Sequence, residues 1–293
     1  MTLLQLVVAC FQIKIIPKFL GGKRAKNKEA RATQLFFSTH PFFTWSEWKE
    51  NLGDGRSEKT LRNILSYYLK QGRLKRVEGV YCVVPFNLDP SRYLPDRFLV
   101  ASKLTQDAIL SYHTAFELLG FANQVFTTTF YSSLRYRPPF TYQGVRYVCV
   151  KLPKALQNNP FVGVVKVERM GMFVRVTSPE RTLAECLDRP EYGGGIEEVL
   201  RCLSSLPFIN EEVLKAYLVE RGKKVLFAKV GWVLEQLKER LSVSEKLLRW
   251  LKERSLKHPT LIGGGQGGER VFIKGWNLVV PYSWLSALEG VLK

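Results

Sequence analysis

Between Phe42 and Pro85 the apolar positions change period, and the change predicts three elements in a row. Apolar Trp48 and Leu52 fit a short helix, with Thr44 and Ser46 as candidate N-caps. Gly53-Asp54-Gly55 breaks it. From Ser57 to Gln71, Leu61, Ile64, Leu65, Tyr68 and Leu69 recur at the spacing of one helical face. The opposite face carries Lys59, Arg62, Asn63, Ser66 and Lys70, and Gly72 supplies the stop. Leu74–Val77, Glu78-Gly79 and Val80–Val84 then read as a small hairpin ending at Pro85. Helix, helix and basic hairpin in that order describe a winged helix-turn-helix over residues 23–85, whose second helix suits a major groove and whose wing suits phosphate. The other reading is a small helical protein-interaction module with a solvated charged face.

Past Pro85 the pattern becomes mixed. Arg97 to Gly120 reads as helical, with a helix over Asp107–Leu119. Residues 125–131, 145–152, 162–168 and 172–176 alternate or run apolar like strands. Ser178-Pro179 opens a helix, and further helices fit 196–206, 210–221, 223–241 and 244–256. Residues 270–273 and 278–280 fit late strands. The expected fold class is α+β: the winged helix-turn-helix, then a mixed α+β domain over 86–293 with a helical C-terminal part.

Charge sharpens this reading. The net charge is +18, and the first 100 of the 293 residues hold 17 of the 44 Lys and Arg against 8 of the 26 Asp and Glu, so half of the excess lies in the first third. An anionic partner follows, nucleic acid before a membrane surface. The expected DNA-binding set is Arg62 and Asn63 for base edges, Lys75 and Arg76 on the wing for phosphate, and Arg56, Ser57, Lys59, Thr60 and Arg73 around them.

Residues 1–22 are a separate apolar N-terminal segment, whose run Met1–Phe11 is too short to span a bilayer and has no charged flank or cleavage site. The basic run Lys23–Lys28 fits an arm to the DNA or a solvated linker equally. Five cysteines without a C-x-x-C pair suit a reducing cytoplasm, and three scattered histidines show no metal-ligand spacing, so no metal and no cofactor are expected.

No catalytic constellation emerges. Gly263–Gly268 lacks the Lys-Ser/Thr of a phosphate loop. Gly193-Gly194-Gly195 opens a helix whose first turn already holds Glu197 and Glu198. Glu180 is expected at a helix start, Arg181 beside a carboxylate, and His113 packed or hydrogen-bonded on a helix. Tyr131, Arg135, Tyr136 and Arg137 fit a strand end better than an RNA-stacking surface. Glu168, Glu185 and Asp188 are the mild candidates for the enzymatic alternative, a metal-dependent nuclease.

Four segments in order resemble the abortive-infection E type IV antitoxins, which are also transcriptional regulators: the wing Arg73–Tyr81, Ser111–Phe121, Val176–Leu183 with Cys186–Gly195, and Lys229–Glu235. Together they cover roughly residues 30–285. Glu78 stands where the family commonly has arginine, and the apolar start and basic run lie outside its pattern. The resemblance implies a non-enzymatic, cytoplasmic autorepressor that binds operator repeats of its own promoter. It also implies a C-terminal domain that antagonises a nucleotidyltransferase toxin, with no stable complex assumed. A basic helical face formed by Lys223, Lys224, Lys229 and Lys238 is the candidate surface there. A plain operon repressor with a ligand-sensing C-terminal domain is the remaining alternative.

Overall fold

The computed structural model describes residues 23–263 and 268–292, with side chains from residue 30 onward. Residues 1–22, and Gly264–Gly267 of the glycine-rich connection, lie outside the described residues, as do the side chains of the basic run. The chain divides into two compact units. The first runs to Gln106 and includes Glu168–Phe173; the second comprises Asp107–Val167 and Val174–Lys293.

In the first unit, helix α1 (Lys23–Thr39) is followed by strand β1 (Phe42–Thr44), α2 (Trp45–Leu52), α3 (Glu58–Lys70), β2 (Leu74–Val77), β3 (Val80–Val83) and α4 (Arg97–Lys103). The basic run is therefore the start of a helix rather than a linker. Thr44 caps α2 with a full capping box: its side chain accepts from Glu47 N, and Glu47 returns a carboxylate to Thr44 N at 2.8 Å. The strands form an antiparallel sheet in the order β1-β3-β2, with Phe43 opposite Tyr81 and Leu74 opposite Val83. The β2–β3 turn has Glu78 and Gly79 both at positive φ, 46° and 93°, the primed geometry that a tight hairpin requires.

An aromatic cluster holds this unit together. Phe36 and Phe37 of α1 meet Phe43 and Trp48, and Phe43 stacks on Tyr81 at 5.3 Å. Each fully buried ring of this kind contributes about 1.5–3 kcal/mol. Helix α4 buries Phe98, Leu99, Val100 and Ala101 and packs on β1 and β3, so the unit continues past the Pro85 break. Lys103 pairs with Glu47, and Arg169 Nη2 lies 2.5 Å from Asp96 Oδ2.

The second unit opens with β4 (Ile109–Leu110) and α5 (His113–Leu119) where the sequence predicts one helix over 107–119. The carboxylate of Asp107 accepts from Ser133 Oγ at 2.8 Å and Leu134 N at 2.6 Å, which draws Ile109 and Leu110 into the sheet. Tyr112, at φ 56°, separates strand from helix. Next come β5 (Thr128–Ser133), β6 (Phe140–Tyr142), β7 (Val145–Lys151), β8 (Val164–Arg169) and β9 (Met172–Thr177). The six strands lie in the order β6-β7-β5-β4-β9-β8, with parallel pairs β5/β7 and β4/β9.

The helical part comprises α6 (Pro179–Asp188), α7 (Ile196–Ser204), α8 (Glu211–Arg221), α9 (Lys224–Gln236) and α10 (Glu245–Arg254). It is followed by β10 (Thr260–Leu261), β11 (Arg270–Ile273), β12 (Leu278–Pro281) and α11 (Tyr282–Leu292). The helix expected over 223–241 ends at Gln236 and resumes as a single turn, Lys238–Leu241. Helix α9 packs on α10 and α6, and α11 on α7, around one core that includes Phe116, Leu183, Tyr217, Leu234 and Trp276. The protein is thus a mixed α+β fold. Among the described residues no helix is long and apolar enough to cross a membrane.

Candidate functional site

The outer face of α3 is the clearest polar surface of the first unit. Ser57 caps the helix by accepting from Thr60 N at 3.1 Å, and the Ser57 and Thr60 hydroxyls lie 3.0 Å apart. Leu61 and Leu65 point into the core, while Lys59, Arg62, Asn63, Ser66 and Lys70 are exposed. The Arg62 guanidinium stands over the Trp45 ring at 4.3 Å, and Glu58 sits 3.8 Å from Arg62 and 2.6 Å from Lys49. These exposed ion pairs contribute little stability. They orient long side chains without hiding them.

The hairpin beside α3 presents fewer free cations than the sequence suggests. Arg76 is exposed, 5.7 Å from the Tyr81 ring. Lys75, by contrast, donates to the Tyr93 carbonyl at 2.6 Å, so its ammonium is a clasp for the following segment. Arg73 stacks on Phe86 at 4.6 Å. Arg56 donates to Leu52 O at 2.9 Å, closing the C-terminus of α2. The sequence put Lys75 beside Arg76 on the wing for phosphate; the carbonyl of a residue 18 positions later holds it instead. Trp45, as the platform for Arg62, was missed; its place directly after the Thr44 cap was the available signal.

In the second unit the four expected lysines do not share one open face. Lys224 is exposed. Lys223 pairs with Asp188 at 2.5 Å, and Lys238 with Glu245. Lys229 is buried and donates to Leu187 O at 2.9 Å. It lies on the same face of α9 as Leu226 and Val230, and its ammonium caps the carbonyl end of α6. Burial pushes its pKa down, against the pull of Asp188.

Of the candidate nuclease carboxylates, Glu185 and Asp188 are engaged, while Glu168 is exposed on β8, an edge strand. Glu185 accepts from fully buried Arg181 Nε at 2.8 Å, as expected for Arg181, which also donates to Pro160 O and Val162 O. Asp188 receives Arg221 at 2.9 Å and Lys223. Burial raises its pKa, but these cations more than offset that and hold it below the ordinary value. Glu180 accepts from Asn210 N at 2.9 Å and so ties α6 to the cap of α8. Tyr131 is core.

A group that the sequence does not connect meets inside this unit. His113 Nε2 lies 3.0 Å from Glu198 Oε1, and Nδ1 lies 3.1 Å from Glu117 Oε1. Cys202 Sγ lies 3.3 Å from the same Glu198 oxygen. Glu198 thus turns inward from the first turn of α7, whereas Glu197 stays outside and pairs with Arg201. No local motif announces the cluster, because His113 is 85 positions from Glu198.

The chain matches no family model and no curated protein. It is similar to a solved structure described as the RV2827C protein from Mycobacterium tuberculosis, with a TM-score of 0.57 over 97% of each chain. Identity is 17%, so the likeness is one of fold.

Proposed function

We propose that the first unit is a winged helix-turn-helix, with α2 and α3 as the helix pair, α3 as the recognition helix and β2–β3 as the wing. The chain is then a non-enzymatic DNA-binding autorepressor and the antitoxin partner of a nucleotidyltransferase toxin. The observation that carries the DNA reading is the two-sidedness of α3: Leu61 and Leu65 are fixed in the aromatic core, while Arg62 and Asn63 stand exposed, as does Arg76 on β2. A rigid helix with donor and amide groups on its free face suits base edges, and the charge excess of this third of the chain suits phosphate. The antitoxin assignment rests on the resemblance of Ser111–Phe121, Val176–Leu183 and Lys229–Glu235 to the abortive-infection E family. A stable complex with the toxin is not part of the proposal.

The test is titration of the full chain against the DNA upstream of its own reading frame, by fluorescence anisotropy over a series of salt concentrations. Expected is sequence-preferring binding whose affinity falls linearly on a log–log salt plot. Equal affinity for upstream and random DNA would overturn the repressor reading. Co-expression with the adjacent reading frame tests the second part: rescue of growth by the Arg62→Ala variant supports an antitoxin role separate from repression, and loss of rescue by that variant overturns it.

A further inference from the structure

We propose that His113, Glu198 and Cys202 form a binding site for one zinc-type divalent ion, with Glu117 as the carboxylate that orients the imidazole. His113 is the first residue of α5, and Glu198 and Cys202 are one helical turn apart on the same face of α7. Their ligand atoms all lie within 4.8 Å of one another, and all three side chains are buried.

Two of the three spacings are close to the edges of a coordination tetrahedron. Nε2 to Oε1 is 3.0 Å and Sγ to Oε1 is 3.3 Å. In a tetrahedron with zinc–nitrogen, zinc–oxygen and zinc–sulfur bonds of ordinary length, the corresponding edges are about 3.3 and 3.5 Å. For these two edges shifts of a few tenths of an ångström suffice, and the third, Nε2 to Sγ, lies within 4.8 Å. Behind the imidazole, Glu117 Oε1 faces Nδ1 at 3.1 Å and is itself fixed by the Phe126 N–H at 2.8 Å. Nδ1 has no directed hydrogen bond as the ring stands, and a small turn toward Glu117 would complete the carboxylate–histidine–metal arrangement with Nε2 as the ligand.

Hydrogen bonding alone fits these atoms poorly. The oxygen Glu198 Oε1 faces His113 Nε2, Cys202 Sγ, Asn123 N at 3.1 Å and Gln124 N at 2.9 Å. Four groups crowd one carboxylate oxygen, two of them backbone N–H groups fixed in the 121–126 loop; the imidazole and the thiol are the two that a cation would draw away. With a cation among the three side chains, the imidazole lone pair and a thiolate become ligands instead. The thiol proton leaves to solvent, and water completes the fourth position. A mixed nitrogen, oxygen and sulfur set selects a borderline-soft ion such as zinc over magnesium or calcium. Asn123 and Gln124 are exposed, so a single loop separates the site from solvent.

The experiment uses the full chain, stripped with chelator and titrated with cobalt(II) as the spectroscopic stand-in for zinc. Expected is an ultraviolet thiolate-to-cobalt charge-transfer band that saturates at one equivalent and is bleached by zinc, with metal analysis giving one zinc per chain. Cys202→Ser should abolish the band, and His113→Gln should weaken cobalt binding at least tenfold. Glu117→Gln should keep the band and lower affinity about 10–100-fold. Circular dichroism of each variant reports folding. Absence of the band in the wild-type chain would overturn the proposal whatever the variants do. So would its persistence in Cys202→Ser, which would assign it to one of the other four cysteines, Cys10, Cys82, Cys149 or Cys186.

Discussion

The guanidinium of Arg62 stands over Trp45, 4.3 Å from the ring centroid, on the exposed face of α3. A cation–π contact of this kind fixes the direction of an exposed arginine at small energetic gain, about 0.5–1 kcal/mol. Under the proposed function, Trp45 is therefore a positioning residue for base reading. Arg62→Ala should cost about 1–3 kcal/mol on the preferred DNA and much less on random DNA. Trp45→Ala should narrow the same preference while leaving the salt slope unchanged. Competition titrations with the two DNAs measure both; equal losses on both for Arg62→Ala would contradict base reading.

Lys75 and Arg76 are neighbours on β2 with different fates. Arg76→Ala should weaken binding to all sequences alike and lower the salt slope by about one. Lys75→Ala removes the bond to the Tyr93 carbonyl, so it should lower stability by about 1–3 kcal/mol. Its salt slope should stay at the wild-type value. Urea unfolding and salt-dependent anisotropy separate the two effects.

Gly231 in α9 faces the Trp276 ring, where an added Cβ would lie 2.1 Å from Cζ3 and 2.2 Å from Cη2. The ring cannot withdraw easily, because its Nε1 donates to Glu235 Oε2 at 2.8 Å. Gly231→Ala should therefore destabilise by about 1–3 kcal/mol or more through overpacking, despite the better helix propensity of alanine. A melting temperature equal to wild type would contradict this close approach.

Asp188 carries a pH prediction. Its folded-state pKa lies below the ordinary 3.8: burial opposes ionisation, but Lys223, Arg221 and Lys229 outweigh it. A depressed carboxyl contributes stability that is fully present above the ordinary value and is lost as the pH falls through the folded one. Asp188→Asn should lower stability at neutral pH and flatten the acid limb of the profile. Urea midpoints measured from about pH 6 down to about pH 3 check the slope.

Local signals in the sequence placed most helices. Thr44, Ser57, Ser178, Asn210 and Ser244 each cap the helix that follows, because a short oxygen-bearing side chain before an apolar stripe satisfies backbone N–H groups wherever it occurs. The strands expected at 145–152, 162–168 and 172–176 were legible in their apolar runs and fall at 145–151, 164–169 and 172–177, and the expected hairpin at Glu78-Gly79 takes the positive φ that such a turn needs. Strand β4 was not legible: Ile109 and Leu110 continue a helical pattern, and only the distant Ser133 and Leu134, through Asp107, draw them into the sheet.

The exposed face of α3 was fixed by periodicity alone, since Leu61 and Leu65 must enter any core available and Arg62 and Asn63 then face away. Where the cations and carboxylates ended up was a matter of tertiary structure. Lys75 found a carbonyl 18 residues on, Lys229 the end of α6, and Glu198 the imidazole of His113, 85 residues back. Helical and strand periods are set by the backbone over a few residues, so they are written in the sequence. A charged side chain settles on whichever partner the folded chain brings within about 3 Å, and buried polar groups must find such partners; that proximity exists only once the elements have packed.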